Sequence, residues 1–222
     1  MKILFLGTGA ADWSQERDGK EFRRNSSALI DGCLLIDPGP GVIDAINEYS
    51  VDISMIKYIL NTHRHEDHFN NDTLEILKTN GVEVFDFEEE EQKNIGKYKI
   101  KAVKANHPVP TLHYIISDGK SRIFYGLDGA WLMYNEVQAI KEEKVDFAIF
   151  DATIGFIDGD YRIFEHNNLN MVLEMKKTLL PYIDRFCISH MARTLHDEHK
   201  VLEEQMRKHD VEVAFDGMEI VI

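Results

Sequence analysis

Short apolar runs bounded by turn residues are the main pattern along the chain, and they predict β-strands. The predicted strands lie at residues 2–6, 28–30, 33–36, 56–60, 147–150, 185–188, 211–215 and 218–222. Asp-Gly pairs at positions 31–32, 118–119 and 216–217 predict three hairpins, the first with a type I′ turn, because Asp-Gly suits the tight turns between antiparallel strands. The pattern therefore predicts antiparallel sheet structure.

Apolar positions at helical spacing predict helices between these strands. The predicted helices lie at residues 41–48, 72–80, 131–143, 170–180 and 197–208. Asp72 with Glu75 three residues later predicts a capping box at the second helix, and Asn80-Gly81 predicts its end. Along the chain, hairpins come first, strand–helix units follow and a hairpin closes the sequence. This order differs from the strict alternation of strands and helices in a doubly wound sheet. This order predicts an α/β protein with two packed sheets and helices outside.

Length and composition indicate an ordinary globular protein. The chain has 222 residues, 44% of them hydrophobic, and no linker rich in Pro, Gly or Ser, so we expect one domain over residues 1–222. No apolar run approaches the ~20 residues of a membrane-spanning helix, and Gly residues at 7 and 9 break the apolar start of the chain. We therefore expect a cytoplasmic protein with no membrane partner. Cys33 and Cys187 lie in strand-like runs and are expected to be buried thiols.

The charge of the chain bears on its partners. There are 25 Lys and Arg against 39 Asp and Glu, which gives a formal net charge of −14. Nucleic-acid binding depends on clustered basic residues, so this balance disfavours a nucleic-acid partner. It is compatible with a small phosphorylated substrate, because bound metal ions can supply positive charge locally.

The most informative motif follows the strand predicted at residues 56–60. It places His63, His65, Asp67 and His68 within six residues. Residues two apart in extended chain point to the same side, so the first two imidazoles converge, and the other two side chains follow where the chain turns. Imidazole and carboxylate ligands suit Zn, Mn or Fe rather than Ca or Mg. The motif therefore predicts the start of two neighbouring metal sites.

Further ligands are expected at other predicted strand ends. His107 and His190 each follow a strand-like run, and Asp128 follows the second hairpin, where a carboxylate could bridge two ions. Asp37, before Pro-Gly, could orient a ligand histidine by a hydrogen bond. Taken alone, the first three residues are more often turn or loop residues than ligands, and Asp37 is equally compatible with an ordinary turn.

With these residues in this order, the chain resembles the metallo-β-lactamase superfamily over nearly its whole length. The resemblance implies a four-layer αββα sandwich with two divalent metal ions, Zn or Mn, at one edge of the sheets. It assigns one ion to His63, His65 and His107, and the other to Asp67, His68 and His190, with Asp128 as a bridge.

Within that superfamily the chain is most similar to the phosphodiesterases of the carbon–phosphorus lyase pathway, which act on phosphoribosyl cyclic phosphate. The similar segments are residues 6–9, 166–169, 188–190 and 215–220. The resemblance implies that His166 is the general acid and that Asp67 serves catalysis as well as metal binding. Those enzymes carry a Cys-rich structural zinc site, whereas residues 11–25 of this chain contain no Cys. We expect that zinc site to be absent, which leaves the identity of the substrate open.

These features predict a hydrolase that acts on a small cyclic or diester phosphate, with a hydroxide shared by two metal ions as the nucleophile. Three alternatives stay open. The same metal motif serves transfer-RNA 3′ processing endonucleases and hydrolases of lactones or thioesters, and a metal-dependent sensor would keep it without turnover. The choice between Zn and Mn also stays open, as does a homodimeric state.

Some basic and histidine residues have secondary roles in this interpretation. Candidates for holding a second phosphate on the substrate, each of which also suits an ordinary surface position, are Arg17, Arg23, Arg24 and Arg193. The histidines expected on the surface or behind the ligands are His113, His196, His199 and His209.

Overall fold

The computed structural model describes residues 1–13 and 21–222, which form two β-sheets flanked by helices. The strands are β1 (Lys2–Gly7), β2 (Ser27–Ile30), β3 (Leu34–Ile36), β4 (Tyr58–Leu60), β5 (Glu83–Phe85), β6 (Gln92–Ile95), β7 (Tyr98–Lys104), β8 (Leu112–Ser117), β9 (Arg122–Gly126), β10 (Val145–Asp151), β11 (Ile183–Ser189), β12 (Val211–Val213) and β13 (Glu219–Val221). The α-helices are α1 (Val42–Glu48), α2 (Asn71–Thr79), α3 (Tyr134–Glu143), α4 (Leu169–Leu179) and α5 (His199–Arg207). Two short 3-10 helices cover Ile53–Met55 and Tyr161–Phe164.

The strands divide between a first sheet of order β13-β1-β2-β3-β4-β5 and a second sheet of order β12-β11-β10-β9-β8-β7-β6. The facing sides of the sheets share a core that includes Phe5 from the first and Tyr125 from the second. The outer side of the first sheet packs against α1 and α2, and Leu77 is buried there. The outer side of the second sheet packs against α3, α4 and α5 around Phe150. The predicted four-layer αββα arrangement is therefore confirmed.

Two of the three predicted hairpins are present. Asp31 and Gly32 have φ values of 48° and 69°, as a type I′ turn requires, and they join the antiparallel strands β2 and β3. The second hairpin joins β8 to β9.

The third predicted hairpin is wrong. Strand β12 pairs with β11 in the second sheet, whereas β13 pairs with β1 in the first sheet, so residues 214–218 cross between the sheets. The Asp216 carboxylate accepts hydrogen bonds from the Thr8 hydroxyl at 2.7 Å and the Arg24 backbone N–H at 2.6 Å. These long-range contacts hold the crossing, and a local turn pattern cannot reveal them.

The predicted capping box at α2 is also wrong. The helix begins at Asn71, and its cap is Asn70, whose side chain accepts from the Thr73 backbone N–H at 2.9 Å. Asn70 also donates its backbone N–H to Pro38, which ties the helix start to the loop after β3. The end of the helix at Asn80 agrees with the prediction.

Parallel strands in both sheets end at the edge where the predicted ligands lie. In the first sheet β3, β4 and β5 are parallel, and in the second sheet β9 to β12 are parallel. Asp37, Asp128 and His190 follow such strands and have φ values of 59°, 60° and 62°. A left-handed backbone is uncommon outside glycine, and it recurs at functional sites. Each of these strands is therefore followed by a sharp turn that directs a polar side chain towards the cluster at this edge of the sheets.

Helix α3 is fixed to the second sheet by a buried pair of polar side chains. His113 on β8 contacts the Glu136 carboxylate at 2.6 Å, and the other carboxylate oxygen accepts from the Met133 backbone N–H. Burial disfavours the charged form of His113, but the Glu136 carboxylate outweighs this and raises the pKa of His113. The pair thus links the start of the helix to the sheet.

The substitution Glu136→Ala should lower the free energy of unfolding by about 3–5 kcal/mol, because it leaves a buried partner uncompensated. Since the pKa of His113 is raised in the folded state, the loss should be largest below pH ~6.5 and shrink as pH rises through the folded pKa. Urea denaturation across this pH range measures it. Glu174→Ala, which removes an exposed pair with Lys177, is the control. Equal stability of the two variants would contradict the prediction.

Candidate metal centre

The structure brings all seven predicted ligands to one edge of the two sheets. The 63–68 segment follows β4, His107 follows β7, Asp128 follows β9 and His190 follows β11. They form two adjoining groups, in each of which the potential ligand atoms lie within 4.8 Å of one another. The groups are His63, His65 and His107, and Asp67, His68, Asp128 and His190.

The first group consists of three imidazoles that face one another. Nδ1 of His107 lies 3.1 Å from the Glu165 carbonyl, which can only accept, so Nδ1 carries the proton and Nε2 faces the group. That Nε2 is 3.4 Å from Nδ1 of His65. His63 is buried, and within the described part of the chain its Nε2 forms no hydrogen bond. The three rings thus direct nitrogen atoms towards a common point.

The second group pairs two imidazoles with two carboxylates. Nε2 of His68 lies 3.1 Å from Nε2 of His190. Oδ2 of Asp67 is 3.4 Å from each of these nitrogen atoms. Both histidines are buried, so these close contacts are poorly screened by solvent.

Asp128 belongs to the second group and also faces the first. Its Oδ2 atom is 2.5 Å from Nε2 of His68 and 3.2 Å from Nε2 of His190 in the second group. The same atom is 3.8 Å from Nε2 of His63 in the first group. The Asp128 side chain is therefore placed where the sequence analysis expected a bridging carboxylate.

This donor set fits divalent metal ions. The buried Nε2 of His63 has no protein partner within the described residues, and a buried nitrogen of this kind normally has one. Facing imidazole nitrogens such as those of His68 and His190 repel each other unless a proton or a cation lies between them. Imidazole and carboxylate are the ligands of Zn and Mn sites. The cluster is therefore suited to divalent metal ions.

The charges in the cluster compensate one another. Burial disfavours the charged form of His190, but the carboxylates of Asp128, Asp151 and Asp67 raise its pKa to about 10. Burial likewise opposes protonation of His68, and Asp128 and its neighbours outweigh this, so that its pKa is also raised. Burial, followed by the charge of His68, lowers the pKa of His63 to about 2. A metal ion must therefore displace protons from the second group.

Asp37, which the sequence analysis expected to orient a ligand histidine, lies behind His68. The Nδ1–H of His68 donates to Oδ2 of Asp37 at 2.8 Å, which directs Nε2 of the ring into the cluster. The Thr62 backbone N–H and hydroxyl also reach this carboxylate, at 2.7 and 3.0 Å. The Thr62 hydroxyl lies 3.0 Å from Nδ1 of His63 as well, so one carboxylate holds parts of both groups.

A close backbone contact fixes the loop that carries Asp67. A Cβ atom at Gly39 would lie 2.3 Å from the Asp67 backbone oxygen, a distance that real Cβ atoms essentially never show. Only glycine therefore allows the turn after β3 to approach the motif this closely.

Asp151 is a functional residue that the sequence analysis missed. It is fully buried at the end of β10 and accepts backbone N–H groups from Asn167 at 2.9 Å and Thr153 at 3.1 Å. Its Oδ2 lies 3.0 Å from Nδ1 of His166 and 3.4 Å from Nδ1 of His190. Asp151 therefore orients two histidines, and with Asp128, His166 and His190 it also belongs to a third group whose potential ligand atoms lie within 4.8 Å of one another. Its position after the strand at 147–150 was the available signal.

His166 lies beside both groups, on the loop before α4. Its Nδ1 contacts Asp151 at 3.0 Å and Oδ1 of Asp128 at 3.3 Å. Burial disfavours the charged ring, but Asp151 and Asp128 outweigh this and raise the pKa of His166. The ring also lines a pocket of about 160 Å³ over the cluster. Because Nδ1 faces Asp151, Nε2 is the nitrogen that can meet a bound molecule.

Two of the four arginines that the sequence analysis proposed for phosphate binding, Arg23 and Arg24, do not reach the site. Arg23 and Arg24 are 4% and 5% exposed and form structural contacts with Thr8 and Glu48. They are thus neither surface residues nor open to a substrate, because the crossing between the sheets covers them. Arg193 is exposed. Arg17 and the rest of residues 14–20 lie outside the described residues.

The remaining histidines and the cysteines stand apart from the two groups. Nε2 of His196 lies 2.6 Å from the Ala152 carbonyl, to which it donates, and Nδ1 of His199 accepts from Arg23. Cys33 and Cys187 are free thiols, the first partly exposed and the second buried. Over residues 1–13 and 21–222, no helix has the length and apolar character needed to cross a membrane.

Comparison with known proteins places this site in a family context. The sequence model of the metallo-beta-lactamase superfamily matches residues 21–113, which include Asp37, the 63–68 motif and His107. A segment of 68 residues, 31% of this chain, is 35% identical to "Ribonuclease Z" of Staphylococcus carnosus (strain TM300), and it covers 22% of that protein.

Solved structures extend the comparison to the whole fold. The metallo-beta-lactamase fold protein YhfI from Bacillus subtilis superimposes with a TM-score of 0.78 at 16% identity, over 99% of this chain and 98% of that one. A diphosphatase from the PhnP family gives a TM-score of 0.75 at 17% identity, over 100% and 97%. At such identities the likeness shows the fold alone.

The family match and the site geometry agree with each other. Ribonuclease Z and the diphosphatase are metal-dependent hydrolases of this superfamily, which agrees with the enzyme class predicted from the sequence. The chain therefore has the metallo-beta-lactamase fold, and its residues 21–113 match the sequence model of that superfamily.

Proposed function

We propose that the chain is a metal-dependent phosphodiesterase that hydrolyses a small cyclic or diester phosphate. The observation that carries the proposal is the position of Asp128, whose carboxylate lies between two groups of donors and also contacts His166. Two Zn or Mn ions bound by the seven ligands would neutralise charge on a phosphoryl oxygen and lower the pKa of a water to be used as the nucleophile.

His166 is placed to supply the proton that the leaving oxygen needs. Asp151 holds the Nδ1 side of the ring at 3.0 Å, which favours the protonated form and orients the ring. The other side of the ring lines the pocket over the cluster, where the leaving group of a bound diester would lie. A carbonyl substrate such as a lactone has less need of this acid, so His166 favours a phosphodiester.

The surroundings of the cluster favour a small substrate over a long nucleic acid. Carboxylates outside the ligand set line the described pockets around it: Asp12, Glu66, Asp72, Asp86, Glu88 and Glu89. The cations on the same pocket walls are Arg64, Lys78 and Arg162. A phosphate backbone is bound by clustered basic residues, which these walls do not provide.

Processing of transfer-RNA 3′ ends is the second candidate, and the segment that is 35% identical to Ribonuclease Z favours it. The two candidates separate in one assay series on metal-loaded protein. A precursor transfer RNA with a 3′ trailer, a ribose 1,2-cyclic phosphate, a lactone and a thioester are compared by kcat/KM. We expect the cyclic phosphate to be the preferred substrate. Cleavage of the RNA with the higher kcat/KM would favour the second candidate, and inactivity on all four would favour a sensor.

Metal binding should depend on Asp128 and His63 and not on an exposed histidine. The wild type is expected to bind about two divalent ions per chain, as dinuclear sites do. Asp128→Ala should weaken both sites, and His63→Ala should weaken one. His209→Ala, at an exposed position outside the cluster, is the matched control. Calorimetric titration with Zn²⁺ or Mn²⁺ measures this, and retention of two tightly bound ions by Asp128→Ala would refute the assignment.

The same titration should detect protons released on metal binding, because the pKa values of His68 and His190 are raised. The apparent affinity should therefore rise with pH. Repeating the titration in buffers of different ionisation enthalpy measures the number of protons. An affinity that does not change between pH 6 and pH 8 would speak against these two residues as ligands.

Substitution of His166 should separate proton transfer from metal binding. His166→Ala is expected to keep the metal content and to lower kcat on a diester with a poor leaving group by about 10²- to 10⁴-fold. The effect should be smaller on bis(p-nitrophenyl) phosphate, whose leaving group needs less protonation. Steady-state kinetics on both substrates test this, with His209→Ala as the control. Equal losses on both substrates would argue against a role as general acid.

A further inference from the structure

Large apolar side chains are exposed on two loops, one that follows Asp128 and one that precedes His166. Of the thirteen large apolar side chains exposed in the described residues, seven lie in residues 131–134 and 156–164. Tyr134, Tyr161 and Phe164 are 79%, 74% and 77% exposed. We call the six most exposed of the seven the aromatic patch: Trp131, Tyr134, Phe156, Ile157, Tyr161 and Phe164.

Hydrogen bonds hold the two loops side by side. The Trp131 backbone N–H donates to Oδ1 of Asn167 at 2.7 Å, and Nδ2 of Asn167 donates to the Gly129 carbonyl at 2.8 Å. Nδ2 of the neighbouring Asn168 donates to the Ile157 carbonyl at 3.5 Å. Asn167 is itself buried between the loops and the sheet. The two loops therefore present one surface, and their backbone is fixed before any partner binds.

The area of the aromatic patch is that of one side of a protein interface. An aromatic side chain has an area of ~150–250 Å², so the exposed parts of the six side chains amount to on the order of 700 Å². The largest apolar patch on a typical monomer covers about 300–600 Å². A standard interface buries about 800 Å² on each partner. The patch therefore exceeds what a monomer usually exposes and suffices for one stable interface.

The composition of the two loops is also typical of the core of an interface. Residues 129–135 and 152–157 contain no charged side chain, although 29% of the residues of the chain are charged. Aromatic residues and Met are enriched at the core of interfaces, whereas Lys, Glu and Asp are depleted there. Burial of these two stretches against a partner therefore leaves no unpaired charge.

The charges beside the aromatic patch indicate what kind of partner fits it. Asp160 and Arg162 neutralise each other in an ion pair at 2.6 Å. Asp158 and Glu165 remain as the other charged side chains of the second loop. They repel an acidic partner or a nucleic acid, and they are too few to attract a strongly basic one. A second copy of this chain, by contrast, brings the same uncharged, apolar surface to the contact.

We propose that the aromatic patch is the interface of a homodimer, in which it packs against the same patch of a second copy. A two-fold axis makes such a contact self-complementary and closed, so that association stops at the dimer. The proposal concerns no substrate and no metal ion, so it stands whether or not the proposed function is correct.

The dimer interface includes the turn that leads to His166. Tyr161–Phe164 form a 3-10 helix, and the His166 backbone N–H donates to the Arg162 carbonyl at 2.7 Å. Contact with a second copy therefore restricts the motion of this turn, and it places the second copy beside the pocket that His166 lines.

Sedimentation velocity of the full chain over a range of concentrations tests the proposal. The wild type should form a dimer at micromolar concentration. Tyr134→Glu and Phe164→Glu should each raise the dissociation constant of the dimer at least about tenfold, because each places an unpaired charge at the interface. Both positions are exposed in one chain, so neither change should impair folding.

Val221→Glu is the matched control. Val221 is 73% exposed and lies on β13, an edge strand of the first sheet and thus another place where two copies could associate. The dissociation constant of this variant should stay within about twofold of the wild type. A monomeric wild type at the highest soluble concentration would leave the patch to a different protein and overturn the proposal. Equal dimerisation of the wild type and both patch variants, or loss of the dimer in Val221→Glu, would overturn it as well.

Two measurements on the wild type avoid any effect of a substitution on folding. The formal net charge of −14 makes two copies repel each other, so added salt should tighten an apolar dimer. Hydrogen exchange of the backbone amides of residues 129–135 and 156–166 should slow as the protein concentration rises through the dissociation constant. A dimer that salt dissociates, or that protects other residues and not these two segments, would contradict the proposed interface.

Discussion

Three carboxylates buried together at one edge of the sheets are the constraint on which the rest of the structure depends. Asp37 and Asp151 are fully buried, and Asp128 is 2% exposed. Buried negative charge is strongly unfavourable unless it is hydrogen-bonded and compensated. Here backbone N–H groups and imidazoles compensate it, and the imidazoles in turn are oriented by the carboxylates. In the proposed function, divalent cations supply the remaining positive charge.

The two-sheet fold satisfies this constraint because parallel strands of both sheets end at the same edge. The apolar core between the sheets holds these strand ends rigidly, and left-handed turns at Asp37, Asp128 and His190 direct the side chains inward. The strain at these positions is tolerated because the surrounding packing fixes them. The same loops leave a pocket of about 160 Å³ over the cluster, and His166 is among the residues that line it.

The sequence predicted the fold, and it predicted which side chains lie together in the cluster where the signal was compact or followed a clear strand. The 63–68 motif is compact, and Asp128 and His190 follow apolar strands. Asp151 follows such a strand too, but one Asp among many has no local feature that marks it as a hydrogen-bond acceptor for two histidines. The prediction of the third hairpin was wrong because Asp216, between the two strands, is bound by Thr8 and Arg24, which are distant in sequence. Long-range pairing of this kind has no periodicity that a local pattern can show.

The central claim is that two cations share the Asp128 carboxylate. Anomalous diffraction from crystals grown with Zn²⁺ or Mn²⁺, measured at the absorption edge of the metal, tests it most directly. The account predicts two peaks, one in contact with His63, His65 and His107 and the other with Asp67, His68 and His190, both in contact with Asp128. A single peak, or peaks that do not contact Asp128, would contradict it.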